Sequence, residues 1–175
     1  MSDVRRALTH PWRFSWVAHM RRNHAIEHAT IHLLSSRLPH VSIAGRSTPR
    51  GFYIYGHVPI DVLEQAAREA IARLKAGESR LAVHPHCGTN LVTASVMAGI
   101  ATVLASAGRK RRWWDKVFTA LAATTVALAA AHPLGYWIQE HITTDATLDR
   151  VELVHIRRLG STKMPIHFVR IAHHP

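Results

Sequence analysis

"LVTASVMAGIATVLASAG", residues 91–108, runs for 18 positions without a charged side chain, and "VFTALAATTVALAAAHPLGYWI", residues 117–138, does so over 22. At about 1.5 Å rise per residue, helices of these lengths measure roughly 27 and 33 Å, against about 30 Å for the hydrocarbon core of a bilayer. Trp113 and Trp114 stand at one end of the second stretch, Tyr136 and Trp137 at the other. That is the aromatic belt of a spanning helix. Residues 91–138 therefore predict a two-helix transmembrane hairpin, with His132 and Pro133 interrupting its second limb. Ser95 with Gly99, and Ala101 with Ala105, give the small-xxx-small spacing that lets helices approach closely. The alternative is a pair of helices buried in a soluble domain, which their Ala and Thr content would also suit. The expected location is the cell membrane, crossed twice, with the lipid bilayer as the first partner and a membrane protein or a second copy as a further one.

The connector "RKRRWWDK", residues 109–116, carries five positive charges. The positive-inside rule puts it in the cytoplasm. A basic leading domain with no apolar export signal argues for the opposite topology, so orientation stays open. Two spans place both flanking segments on one side, whichever side that is.

Working outward, those flanks read as one α+β domain built on a small antiparallel sheet and two helices. Residues 1–16 form a basic, aromatic lead-in, with Trp12, Phe14 and Trp16 among Arg5, Arg6 and Arg13; either a lipid interface or the domain itself could receive it. The region 17–90 begins with a helix over 17–38, stopped by Pro39. "VSIAGRS" (41–47) and "GFYIYGHV" (51–58) predict a β-hairpin, Phe52 and Ile54 facing one side and Tyr53 and Tyr55 the other. "DVLEQAAREAIARLKAG" (61–77) predicts an amphipathic helix with an Asp61/Glu64 capping box. "RLAVH" (80–84) predicts a short strand, followed by the loop "PHCGTN". Beyond the spans, the tail 139–175 holds "RVELVHIRRL" (150–159) and "PIHFVRIAHH" (165–174), a second hairpin placed to complete the sheet.

The 175 residues are 47% hydrophobic and carry a formal charge of +11, with 15 histidines and one cysteine, Cys87. Disorder is excluded by the hydrophobic content, and an intramolecular disulfide by the cysteine count. The charge suits anionic lipid or nucleic acid. Because the densest basic run lies between the two apolar stretches, lipid headgroups account for it, and no nucleic-acid partner is expected.

The histidines concentrate in "RRNHAIEHATIHLL", residues 21–34. At 100° per residue, His24, Glu27, His28 and His32 share one face with Val17, Met20, Ile31 and Leu38. Burying imidazoles and a carboxylate costs free energy unless each has a partner, and a divalent cation can partner several at once. His24-Ala25-Ile26-Glu27-His28 also fits H-x-x-E-H, in which two histidines hold zinc and the glutamate accepts a proton from bound water. That template takes a distant glutamate as third ligand, and Glu64 and Glu69 read instead as solvated-face residues. The better third ligand is Cys87 in "HPHCGTN", where Gly88 allows a tight turn. The expected metal set is His24, His28 and Cys87, with His84 or water as the fourth ligand, zinc or another divalent transition metal as the cofactor, and Glu27 as base or orienting group. The plainer readings are a core cysteine, a His32 bonded to a backbone carbonyl, a helix-end or interfacial His132, and solvated His173 and His174.

The motifs "RRNHAIEHATIHLL", "GFYIYGHVP" and "GESRLAVHPHCGTN", followed by two spans, resemble a bacterial membrane-protein family catalogued as a domain of unknown function. The likeness runs from about residue 19 to 172. His24, Glu27, His28, His32, His84, Cys87, Gly88, Thr89 and Asn90 match the family pattern, whereas His86 stands where an asparagine is common, which weakens it as a ligand. The resemblance implies two membrane spans and no particular activity. Two functions from different classes follow: a membrane-anchored metal-dependent hydrolase acting on a peptide or other amide, and a non-catalytic membrane subunit or assembly factor holding a structural metal or a buried histidine network. Haem held by histidines near the spans is a third.

Overall fold

The structure is a computed structural model and describes residues 15–107, 112–148, 150–160 and 165–174. The lead-in read at 1–16 lies outside the described residues except for its last two, as do most of the connector's basic run and most of the turn of the second hairpin. The chain divides into two compact units, one running to His84 and resuming at Thr143, the other Pro85–Ile142.

The first unit is α+β. It contains α1 (Ser15–Arg37), β1 (Ala44–Thr48), β2 (Gly51–Tyr55), α2 (Ile60–Lys75), a 3-10 turn (Ser79–Ala82), β3 (Val151–Leu159) and β4 (Ile166–His173). The four strands form one antiparallel sheet in the order β1-β2-β4-β3. The C-terminal hairpin thus completes the sheet begun upstream, through β4 against β2. Helix α1 packs on α2, β1 and the 3-10 turn, and α2 packs on β3. The core between helices and sheet comprises Ile26, Leu34, Phe52, Ile54, Leu63, Val151 and Val169, all buried. Phe52 and Ile54 point into it and Tyr53 and Tyr55 away, as strand alternation requires.

Two local readings are corrected. Helix α2 starts one residue early, at Ile60 after Pro59, and neither Asp61 nor any other side chain caps it. Pro59 lacks an amide to satisfy and is preset near φ −60°, so it opens the helix without a box. Residues 80–84 are no strand. Ser79–Ala82 coils as a 3-10 turn, and the carbonyls of Ala82 and Val83 accept hydrogen bonds from histidine rings of α1 instead of from a neighbouring strand.

The second unit is a helical hairpin, α3 (Gly88–Ser106) and α4 (Trp113–Ile138), closed by a π-type turn at Gln139–Thr143. Both helices are long and apolar enough to cross a membrane. Their apolar side chains are exposed, Leu91 at 71% and Leu104 at 70%. Helix α4 continues through Pro133; the alanine-rich turns around it have the helix propensity to tolerate one lost backbone bond. The close approach of α3 to α4 is at Gly135, where a Cβ would strike Asn90, and not at Gly99, whose Cβ would meet open space. Gln139 donates to Asn90 Oδ1 at 2.7 Å, and the Thr102 and Thr124 hydroxyls meet at 2.7 Å.

Candidate functional site

The middle of α1 is buried nearly all round, from Asn23 to Leu34. Each polar side chain there therefore needs a partner, and each partner fixes a ring or a proton. His24 Nδ1 lies 3.0 Å from the Thr143 carbonyl, and His28 Nδ1 lies 2.7 Å from that of Ala82. A carbonyl oxygen can only accept, so both Nδ1 atoms carry a hydrogen, and in the neutral form of each ring the lone pair is on Nε2. A backbone carbonyl on one imidazole nitrogen is the usual support for a metal-ligating histidine, because it sets the tautomer and the ring orientation. The two ring centroids are 4.3 Å apart, and His24 and His28 can each offer a ligand atom within 4.8 Å of the other.

His32 donates through Nε2 to the Val83 carbonyl at 2.9 Å. That is the plainer reading of this residue. The His84 ring stands 4.6 Å from that of His32 and 5.7 Å from that of His28. Four imidazoles, from His24, His28, His32 and His84, thus form a contiguous group between α1 and the 3-10 segment. Cys87 belongs to the other unit, where it is the N-cap of α3 and its sulfur accepts the Thr89 N–H at 3.4 Å. Three peptide units link it to His84, so the two Cα atoms are at most about 11 Å apart however the units are arranged. His86, in the same segment, is exposed.

Glu27 turns toward the sheet. Its carboxylate accepts from the Ser47 hydroxyl and fills the space over Gly45, where any Cβ would overlap it. Burial pushes this carboxyl above the ordinary glutamate range, against the Ser47 hydrogen bond and the charge of His24, which favour the anion. An acid held in this way can take up or release a proton nearer neutrality than an exposed one. Glu64 pairs with Arg68, and Glu69 with Arg37 and Arg73, on the exposed face of α2, in keeping with their solvated-face reading.

His173, read as a solvated terminal residue, is corrected. It lies on β4, donates through Nε2 to Asn23 Oδ1 at 2.9 Å, and stacks on His19 with centroids 4.2 Å apart. The Asn23 amide is oriented by its own donation to the Thr48 carbonyl at 2.8 Å. Burial first, then the positive charges of His19, Arg22 and His174, push the His173 pKa down to about 4. Sequence reasoning also missed Ser47 and Gly45. The spacing of α1 could not reveal them, since they lie about 20 residues away on a neighbouring strand.

Residues 19–156 match the family described as a domain of unknown function, DUF6391. The chain belongs to that family. It is also similar to an uncharacterized protein of Picosynechococcus sp. (strain ATCC 27264 / PCC 7002 / PR-6), 34% identical over 166 residues that cover 87% of this chain and 78% of the relative. No solved structure matches.

Proposed function

We propose that this chain is a membrane-anchored metal protein in which His24, His28 and Cys87 hold a divalent transition metal, zinc first among them. The observation that carries the reading is that His24 and His28, one turn apart on α1, each engage a backbone carbonyl through Nδ1 and bring ligand atoms within 4.8 Å of one another. A soft thiolate beside two imidazoles suits zinc. The exposed apolar faces of α3 and α4 support the anchor: in water they would form patches far beyond what a monomer shows, whereas lipid accepts them without cost.

If the fourth position is open, the site is catalytic in form. A zinc held by these residues would supply Lewis acidity and make water a better proton donor. Glu27 would be the group to accept and return a proton there, and His24 and His28 keep their orientation through the Thr143 and Ala82 carbonyls. Metal-assisted hydrolysis of a peptide or other amide is the reaction class to test. A second reading is favoured by His84, whose ring already stands beside His28 and His32. As a fourth protein ligand it would close the site and make it structural, in a non-catalytic membrane subunit.

Elemental analysis of purified protein tests the proposal. One metal per chain is expected, falling to a small fraction in His28→Ala and Cys87→Ser. Absence of stoichiometric metal, or full occupancy in both variants, refutes it. Glu27→Gln separates the two readings: an enzyme keeps its metal and loses about 10²–10⁴-fold in turnover, whereas a structural site shows no turnover to lose.

A further inference from the structure

The sheet has a second face, turned away from α1 and α2 and so from the histidines of α1. Strand register arranges its side chains in rows. Arg46 stands opposite Tyr53, Tyr53 opposite Phe168, and Phe168 opposite Arg157. One row across all four strands therefore reads Arg-Tyr-Phe-Arg, with two aromatic rings on the central strands and a guanidinium at each edge. The Tyr53 and Phe168 centroids are 4.8 Å apart. The next row places Arg170 opposite His155 on one side and Gly51 on the other. Gly51 sits at φ +143°, and a Cβ there would strike the Val169 carbonyl, so this position stays bare and the floor beside the rings stays open.

The result is a depression of about 540 Å³ whose lining includes Arg50, Tyr53, His155, Arg157, Phe168 and Arg170 and, among the described residues, no carboxylate. Among the described residues, no carboxylate pairs with Arg46, Arg50, Arg157 or Arg170. With strands about 4.8 Å apart, the outer arginines of the row are separated by about 14 Å at the backbone. A site of this width carries two planar stacking surfaces flanked by cations on both sides.

We propose that this sheet face binds single-stranded nucleic acid, two successive bases stacking on Tyr53 and Phe168 and the flanking phosphates pairing with Arg46, Arg157, Arg50 and Arg170. Aromatic rings on the central strands of an open antiparallel sheet are a general solution for unpaired bases, since every base has a face to stack and arginine forks fit phosphate. A concave floor with half-buried rings suits bases that enter it better than it suits a flat bilayer, into which aromatic side chains must protrude. The sequence alone pointed away from nucleic acid because its densest basic run lies between the apolar stretches; these four arginines are scattered along the chain and meet only through strand pairing. The proposal is independent of the proposed metal site, whose histidines His24 and His28 belong to α1, on the other face of the sheet.

Fluorescence anisotropy with labelled U8 and dT8, using the full-length chain in neutral detergent, tests it. Saturable binding that weakens with salt is expected. Phe168→Leu and Tyr53→Leu should each weaken it about tenfold, and Arg157→Gln several-fold, with unchanged circular dichroism. Arg80→Gln, an exposed arginine away from this face, should leave it unchanged. A blunt duplex and uridine monophosphate should both compete poorly. The proposal is overturned if the two aromatic variants bind like wild type, if duplex or mononucleotide binds as tightly as the octamer, or if the variants weaken binding to phosphatidylglycerol vesicles and leave octamer affinity intact.

Discussion

Helix α1 contains three histidines, an asparagine and a glutamate in its middle and is buried there on almost every side. Helix α3 contains no charged residue and leaves Leu91, Val92, Val96, Ile100, Val103 and Leu104 exposed. The usual rule of apolar inside and polar outside is inverted between them. In α1, protein is the solvent, so each polar group must be answered by another: Asn23 by Thr48 and His173, Glu27 by Ser47, His24 by Thr143, His28 by Ala82 and His32 by Val83. In α3, as proposed, lipid is the solvent, and what needs answering is the backbone and a few polar side chains such as Asn90, Thr93 and Thr102, which find partners within the hairpin. Burial thus means opposite things in the two units, and substitutions should separate them.

The largest contrast comes from one kind of truncation made in both helices. Ile26→Ala, in the core under α1, is expected to cost about 2–5 kcal/mol. That loss would appear in denaturant unfolding of the detergent-solubilised protein. A cost below 1 kcal/mol would mean that α1 is not packed as described.

Gly45→Ala is expected to cost about 1–3 kcal/mol, as overpacking does, because its methyl must displace the Glu27 carboxylate from Ser47. In the hydrolase reading it should also lower turnover, as Glu27→Gln does. A silent Gly45→Ala would detach Glu27 from β1.

Acid should destabilise the first unit. Between pH 6.5 and about 4, the unfolded chain binds a proton at His173 that the folded chain refuses. Stability present above pH 6.5 is therefore lost as pH falls through that window. Burial also lowers the pKa of His19 and His167, with the same sign. Allowing for solvent screening of the half-exposed ring, His173 accounts for about 1–2 kcal/mol. His173→Gln should flatten the profile of thermal midpoint against pH, and an unchanged slope would remove this residue from the account.

The smallest effect is expected from Leu104→Ala on α3, within about 0.5 kcal/mol in detergent. A cost near that of Ile26→Ala would show that this face is covered by protein and would undo the contrast between the helices.

Much of this fold is legible from local pattern. Pro39 ends α1, alternation orients Phe52 and Tyr53, and uncharged runs mark α3 and α4. What escaped reading depends on distant partners. Leu81 and Val83 alternate like a strand, yet the segment is held as a turn by rings about 50 positions earlier in the chain. His173 resembles a frayed terminus until Asn23, 150 residues away, is seen to hold it. At the candidate site, the spacing of His24, Glu27 and His28 was readable because a helix encodes its own face. Their tautomers and the Ser47–Gly45 seat of Glu27 were not, because those are set by other elements.

X-ray absorption at the zinc edge of the purified, zinc-loaded chain bears most directly on whether the histidines of α1 and the lone cysteine share one ion. The account predicts one sulfur scatterer near about 2.3 Å and two or three nitrogen or oxygen scatterers near about 2.0 Å, with the sulfur shell lost in Cys87→Ser. A shell of light atoms alone in the unaltered protein, unchanged by that substitution, would contradict it.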